Sequence, residues 1–272
     1  MPQRDSMIGT LLAATVLCVV CSAVVSVAAV GLREKQEQNK VLDRQKNILD
    51  ATGLARGEYG LPAAELSKEQ IDELSSWISE KLVDLETGEY VTDMDPAKYD
   101  PREAAEKPDT SVAITDVKYD PGVDRREKIA KVYLVKKPGS EGEFQQVVLP
   151  VYGKGLWSTL YGFLALRSDL ETIQGLTFYQ HAETPGLGGE VDNPAWKAQW
   201  EGQKLYDEAG EPAAIVAKGP APSGSMYAVD GLSGATITSR GVTTLLRYWS
   251  SDDGYGKFIK NLNEQHAAKS GS

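Results

Sequence analysis

Residues 6–32 contain no charged side chain, and this run of 27 residues limits what the chain can fold into more than any other feature. As a helix it extends about 40 Å at ~1.5 Å per residue, enough to cross a bilayer with some tilt. A cleaved signal peptide usually carries an apolar stretch of only ~7–15 residues behind a clearly basic start. Here the stretch is longer and its start is Arg4 and Asp5, so residues 1–33 read as a retained membrane anchor in contact with lipid. Cys18 and Cys21 follow Leu17 and Val20 rather than the small residues a lipid-modification site needs, and both thiols read as apolar packing groups. Charge leaves the orientation open: Arg33, Lys35 and Lys40 follow the span, Arg4 precedes it, and long domains translocate largely regardless of such charges.

The formal net charge of −10, from 29 Lys and Arg against 39 Asp and Glu, argues against a nucleic-acid partner, because phosphate contact needs clustered cations. Only two His residues are present and both Cys lie in the anchor, so zinc, iron–sulfur and haem sites lack ligands and no metal is expected.

Beyond the anchor, Val41, Leu42, Gln45, Ile48 and Leu49 form a helical stripe that ends at Gly53. Ser67-Lys68-Glu69-Gln70 has capping-box spacing, and Ile71, Leu74, Ile78, Leu82 and Leu85 predict a second helix running toward Gly88. Pro96, Pro101 and Pro108 predict a loop, so residues 34–110 read as a juxtamembrane helical region and loop. From Ser111 the pattern shifts to short apolar runs, predicting strands over 112–117, 129–135, 146–151, 160–166 and 173–179, with turns at Pro121-Gly122, Pro138-Gly139 and Gly153–Gly155. Further strands are predicted at 215–217 and 226–229, a short helix at 193–199, and a last helix at 239–249 that Gly241 weakens. The predicted class is α+β: one N-terminal transmembrane helix, then a mostly antiparallel sheet with flanking helices, the third segment covering 111–272.

The phosphate-binding loop, the nucleophile elbow and the dinucleotide fingerprint are all missing from the sequence. Three segments remain. In the first, Asp230-Gly231-Leu232-Ser233-Gly234-Ala235-Thr236, a strand runs through small residues into a helix start. Such a start presents backbone N–H groups suited to a phosphate, although Thr and Ser there also serve as plain helix caps. This segment resembles the flavinylation motif of the FMN-binding domain family, in which a flavin transferase uses FAD to join FMN through its phosphate to a Thr hydroxyl. The resemblance implies covalent FMN on Thr236, with Thr238 as the alternative acceptor and Asp230, Ser233, Gly234 and Ala235 around it.

The second segment, His181-Ala182-Glu183-Thr184-Pro185-Gly186-Leu187-Gly188-Gly189, is similar to a loop of the family's membrane-complex branch that lies against the flavin. By that resemblance Glu183, Thr184, Gly186, Leu187 and Gly188 border the ring. Glu183 then either disfavours anionic reduced flavin by repulsion or merely caps its own turn. The third segment, Gly153 to Gly162, sets Trp157 and Ser158 between two strands; Trp157 is a cofactor wall or a core residue. Together with Asn193-Pro194-Ala195-Trp196 and the anchor, it resembles the C subunits of sodium-translocating NADH:quinone reductases. The resemblance implies an electron-relay subunit in a bacterial inner membrane, partnered by other redox subunits, with its body on the outer face and no catalysis of its own. The alternatives are a G subunit of an Rnf-type ferredoxin:NAD reductase, which is typically shorter, and an anchored flavin-binding sensor or adaptor.

Overall fold

The computed structural model describes residues 7–140 and 144–270, so residues 1–6 of the expected anchor lie outside it. It divides into two compact units, Met1–Arg44 and Gln45–Ser272. Helix α1 (Met7–Thr52) begins in the first; its best window has a mean hydropathy of 2.6 and none of it is buried, as a lipid-facing segment requires.

In the second unit follow α2 (Leu54–Tyr59), α3 (Lys68–Ser75), β1 (Ile78–Asp84), β2 (Tyr90–Val91), α4 (Pro101–Glu106), β3 (Ser111–Ala113), β4 (Arg125–Glu127) and β5 (Ile129–Val135). The chain continues through β6 (Gln146–Lys154), β7 (Thr159–Arg167), β8 (Ile173–Gln180), α5 (Pro194–Ala198), β9 (Ile215–Val216), β10 (Ala228–Val229), α6 (Thr236–Ser250) and α7 (Gly256–Ser270). The main sheet is antiparallel in the order β2-β1-β5-β6-β7-β8; β3 and β4 form a separate antiparallel pair, and β9 and β10 a parallel one.

The helix predicted to run toward Gly88 stops early. Ser67 and Gln70 do form the reciprocal capping box, but α3 ends at Ser75 and Ile78, Leu82 and Leu85 fall in and just after β1. Seven consecutive register pairs with β5, from Ile78 with Val135 to Asp84 with Ile129, outweigh a helical spacing that also fits a strand. Consequently the 110/111 boundary runs through one sheet, since β1 and β2 precede it. The predicted proline loop contains α4, because Pro101 occupies the first helical position and the Asp100 side chain accepts from Arg102 and Glu103 N–H. The strand expected over 112–117 is only β3, Gly153 lies inside β6 rather than in a turn, and α7 follows the helix expected to be last.

One sheet face carries Ala130, Val132, Leu134, Val147, Leu149, Val151, Leu164 and Leu166, packed with Val242, Leu245, Leu246 and Trp249 of α6 and Phe258 and Leu262 of α7. On the opposite face the end of α1 reaches the sheet, where the Gln146 side chain donates to the Thr52 carbonyl at 3.1 Å. Gly241 has a packing reason: a Cβ there would come within 2.3 Å of the Lys154 carbonyl oxygen, and one on Gly153 within 2.6 Å of Leu245 Cβ. Backbone-to-backbone approach thus offsets the low helix propensity of glycine and fixes α6 on β6.

At the end of β4, Glu127 is 3% exposed and accepts the Tyr152 hydroxyl at 2.6 Å. Burial, opposed by that hydrogen bond, its own backbone and Arg126, pushes its carboxyl up to about 7. A folded-state value above the unfolded 4.5 means its stabilisation is complete below 4.5 and is lost as pH rises through about 7. Glu127→Gln, which keeps an acceptor and cannot ionise, is therefore expected to stabilise the protein above pH 7 by on the order of 3 kcal/mol and to have little effect at pH 4. Urea unfolding of both proteins at the two pH values checks this; an equal difference at both would refute it.

Candidate functional site

The three sequence segments meet at one carboxylate. Glu183, which follows β8, is 5% exposed. Its Oε1 accepts the N–H groups of Trp157 (2.9 Å) and Ser158 (3.2 Å), and its Oε2 accepts Leu156 N–H (3.2 Å) and the Thr238 hydroxyl (2.6 Å). Burial raises its pKa, but the Thr238 hydroxyl and the three backbone N–H groups outweigh it and hold the carboxyl below the usual range. Neither sequence expectation describes this arrangement. Glu183 is not a bare charge, and it caps the β6–β7 turn rather than its own.

The glycines of both motifs make room for that contact. A Cβ on Gly155 would lie 2.6 Å from Glu183 Oε1, and one on Gly188 would lie 2.6 Å from Thr238 Oγ1 and 2.7 Å from Glu183 Oε2. Ser158 adds a second tie, its hydroxyl accepting Ala182 N–H at 2.7 Å. The Thr184 carbonyl closes the loop by accepting Leu187 and Gly189 N–H, and Gly186 supplies the positive φ of 75°.

The Asp230–Thr236 motif leaves β10 and enters α6 with Ala235 as N-cap and Thr236 as first helical residue. Residues two apart on a helix point about 200° from one another, so one of Thr236 and Thr238 must face inward. Thr238 does, at 0% exposure and bonded to Glu183. Thr236 is exposed. No side chain caps the first turn of α6, which leaves its N–H groups to an outside acceptor. Ser239, in the first turns of α6, accepts Leu232 N–H at 3.1 Å and holds the motif in its turn.

Around Thr236 opens a cleft of about 390 Å³ lined by Lys218, Asp230, Gly231, Ser233 and Gly234 among others. Lys218 is an exposed cation in the bend that follows β9, and sequence reasoning misses it because it lies 18 residues before Thr236, outside the motif. Asp230 has a scaffold role: its carboxylate accepts Ala221 N–H at 2.7 Å, its N–H donates to Gln199, and its carbonyl accepts the Trp196 indole at 2.8 Å. That explains the Asn193 to Trp196 stretch, whose Trp196 braces the motif from behind. On the loop side a Cβ on Gly234 would lie 2.9 Å from Leu187 Cδ2, so loop and motif touch. Exposed apolar groups gather there: Trp157 at 66%, Ile237 at 54%, Leu187 at 43% and Leu156 at 42%. Trp157 is therefore not a core residue.

These residues suit a phosphate-tethered aromatic group: an accessible hydroxyl, an uncapped helix start and a lysine for the anion, and apolar side chains for the ring. Among the described residues no group of three or more His, Cys, Asp or Glu is placed to hold a metal.

Residues 155–251 match the FMN-binding domain family. The chain is 46% identical over 270 residues to the C subunit of the Na(+)-translocating NADH-quinone reductase of Pseudomonas aeruginosa, covering 98% of this chain and 100% of that protein. It is 43% identical over 264 residues to the C subunit from Yersinia pestis, covering 97% and 96%. Among solved structures it is similar to Shewanella oneidensis NqrC, with a TM-score of 0.71 and 33% identity over 81% of this chain and 96% of the other.

Glu183→Gln gives one amide oxygen to four donors, and its NH₂ group faces at least one of them. The expected loss is about 1–3 kcal/mol of stability near neutral pH. Because the folded-state pKa of Glu183 is depressed, its stabilisation is present above the unfolded carboxylate value and fades as pH falls through the folded one. Thermal melts of the variant and the parent from pH 7 to 3 should therefore converge in acid; a constant gap would show that the charge is not what the donors hold.

Proposed function

The chain belongs to the family of C subunits of the Na(+)-translocating NADH-quinone reductases, and we propose that it carries FMN joined by a phosphoester to Thr236 and relays electrons within such a complex. The observation that carries the choice of residue is the division of the two threonines: Thr236 is exposed, while Thr238 is fully buried and committed to Glu183. A modifying enzyme needs a hydroxyl it can reach, and the small residues Gly234 and Ala235 leave the approach open.

Bound FMN supplies the redox chemistry; the protein binds, orients and shields it. The open first turn of α6 and Lys218 favour the phosphate diester anion, which lets a chain of net charge −10 hold an anionic cofactor. Trp157, Leu156 and Leu187 remove water from one side of the ring, and the Glu183 contact keeps the turn and loop that bear them in register. A covalent link makes retention independent of free FMN, which matters on the outer face of a membrane where dissociated cofactor is lost by dilution. That placement of the body, with the amino terminus in the cytoplasm and α1 as the single span, is part of the proposal, as is a flavin transferase acting on Thr236. The full-length match to the Pseudomonas aeruginosa protein favours this assignment over the shorter Rnf subunit and the sensor.

Thr236→Ala is expected to abolish the fluorescent flavin band on a denaturing gel, and Thr238→Ser, which keeps the hydroxyl bonded to Glu183, to retain it. Peptide mass mapping of the parent should find the added FMN on residue 236. Flavin found on residue 238 would overturn the assignment, and no covalent flavin in a host with the transferase would end the covalent proposal. Protease added to intact spheroplasts should digest the body; full protection until lysis would reverse the orientation.

A further inference from the structure

The main sheet opens where β5 leaves β6, and aromatic side chains fill the gap. Register pairing between the two strands stops at Tyr133 with Val148, so the β6 carbonyls beyond it need other donors. Trp249 of α6 gives its indole N–H to the Tyr152 carbonyl at 2.7 Å, and the Tyr255 hydroxyl donates to the Pro150 carbonyl at 2.8 Å. The Trp249 ring thereby comes within 4.8 Å of the Tyr152 ring, whose other neighbour is its cross-strand partner Tyr161 at 5.5 Å. Trp249 in turn meets Tyr255 at 5.1 Å and Tyr248 at 5.4 Å, and Tyr161 meets Tyr179 at 6.5 Å. A row of rings thus runs from Tyr179 to Tyr248 with Tyr152 in its middle.

Within this row Tyr152 is distinguished by what its hydroxyl meets. It donates to the buried Glu127 carboxylate at 2.6 Å, whereas the Tyr255 hydroxyl ends on a carbonyl, which is too weak a base to take a proton. Burial, then the Glu127 charge, holds the Tyr152 phenol well above its ordinary range, so it is protonated at rest. Burial also lifts Glu127 to about 7, which makes it a better proton acceptor than an ordinary carboxylate. Tyr161 lies under the Arg102 guanidinium at 3.8 Å, a positive charge that makes loss of an electron from that ring harder. Removing an electron from a phenol makes its proton strongly acidic, and the electron leaves readily only where a base waits within hydrogen-bond reach.

We propose that Tyr152 and Glu127 form a redox-active pair, in which a one-electron oxidant such as an oxygen-derived radical takes an electron from the Tyr152 ring as the phenolic proton passes to Glu127. The Tyr152 O–H bond breaks and an O–H bond forms on Glu127; Tyr152 is oxidised by one electron and the oxidant is reduced by one. A neutral tyrosyl radical and a neutral carboxylic acid remain, and a returning electron with the Glu127 proton restores both groups. The flanking Tyr161 and Trp249 rings carry the oxidising equivalent to the pair, which gives the protein an interior place to hold it. The step needs no flavin, so its test is independent of the assignment at Thr236.

The full-length chain, made in a host without the flavin transferase and held in detergent micelles, is illuminated with ruthenium tris-bipyridyl and a cobalt(III) pentaammine acceptor, which generate the trivalent ruthenium oxidant. At about pH 8.5, above the Glu127 value, the carboxylate is ionised and ready to accept. Freeze-trapped samples are expected to show the EPR signal of a neutral tyrosyl radical. The chain has 12 Tyr, so substitution assigns the signal. Tyr152→Phe and Glu127→Gln are each expected to lose most of it, and Tyr59→Phe, which removes a hydroxyl bonded to Glu73 at the surface, to keep it. Glu127→Gln keeps an acceptor for the hydroxyl but cannot take its proton, and it is the variant expected above to be stabilised at this pH, so it decides the outcome where Tyr152→Phe does not fold. Folded Glu127→Gln protein with the parent's signal would overturn the proposal, as would loss of the signal in Tyr59→Phe or the absence of a tyrosyl radical in the parent.

Discussion

Four donors converge on the two oxygens of Glu183, and the rest of the site is arranged around that contact. Three of the donors are backbone N–H groups of one turn and the fourth is a side chain of α6, so a single carboxylate binds strand turn, loop and helix together. A buried carboxylate is stable only if its lone pairs are filled, and hydrogen bonds to a charged acceptor are stronger than neutral ones. The requirement propagates outward. Gly155 and Gly188 are glycines because a Cβ on either would occupy the carboxylate's space, and Thr238 is a buried hydroxyl because the fourth lone pair needs a donor.

The same contact divides labour within the motif. Helix geometry turns Thr236 away from the side that Thr238 faces, so committing one threonine to the scaffold leaves the other at the surface. Asp230 and Ser239 are likewise used to shape the turn, through Ala221 and Leu232. Much of a motif that reads as cofactor-binding in one dimension therefore builds the platform, and the groups left facing the cleft are Thr236, Ser233, the helix start and Lys218.

Features with strong local chemistry are legible in the sequence. The apolar span, the capping box at Ser67, the strands β5 to β8 and the short helix behind Asn193 follow from composition, capping and alternation. What cannot be read depends on distant partners. Ile78, Leu82 and Leu85 satisfy helix and strand spacing alike, and only pairing with β5 decides between them. Pro101 reads as a breaker, although behind a capping Asp100 a proline starts a helix. The site segments stand out by their glycines and by family resemblance, but whether Glu183 faces a ring or a turn depends on the β6–β7 turn 25 residues away. Lys218 reaches the cleft from the bend after β9 and leaves no local signal.

An open site and a tightly held cofactor make opposing demands. A pocket deep enough to retain FMN by contact alone would bury the ring and lengthen the path to a neighbouring redox subunit, whereas the surface here is a shallow cleft beside exposed Trp157, Leu187 and Ile237. The covalent tether proposed at Thr236 would remove that conflict, since retention would no longer depend on buried area and the ring's surroundings would be free to serve docking and potential. The rigidity the tether cannot supply must then come from the scaffold. The Glu183 contact, braced at the loop neck by His181 and Asp192, fixes the surface on which a group tethered as proposed would have to settle.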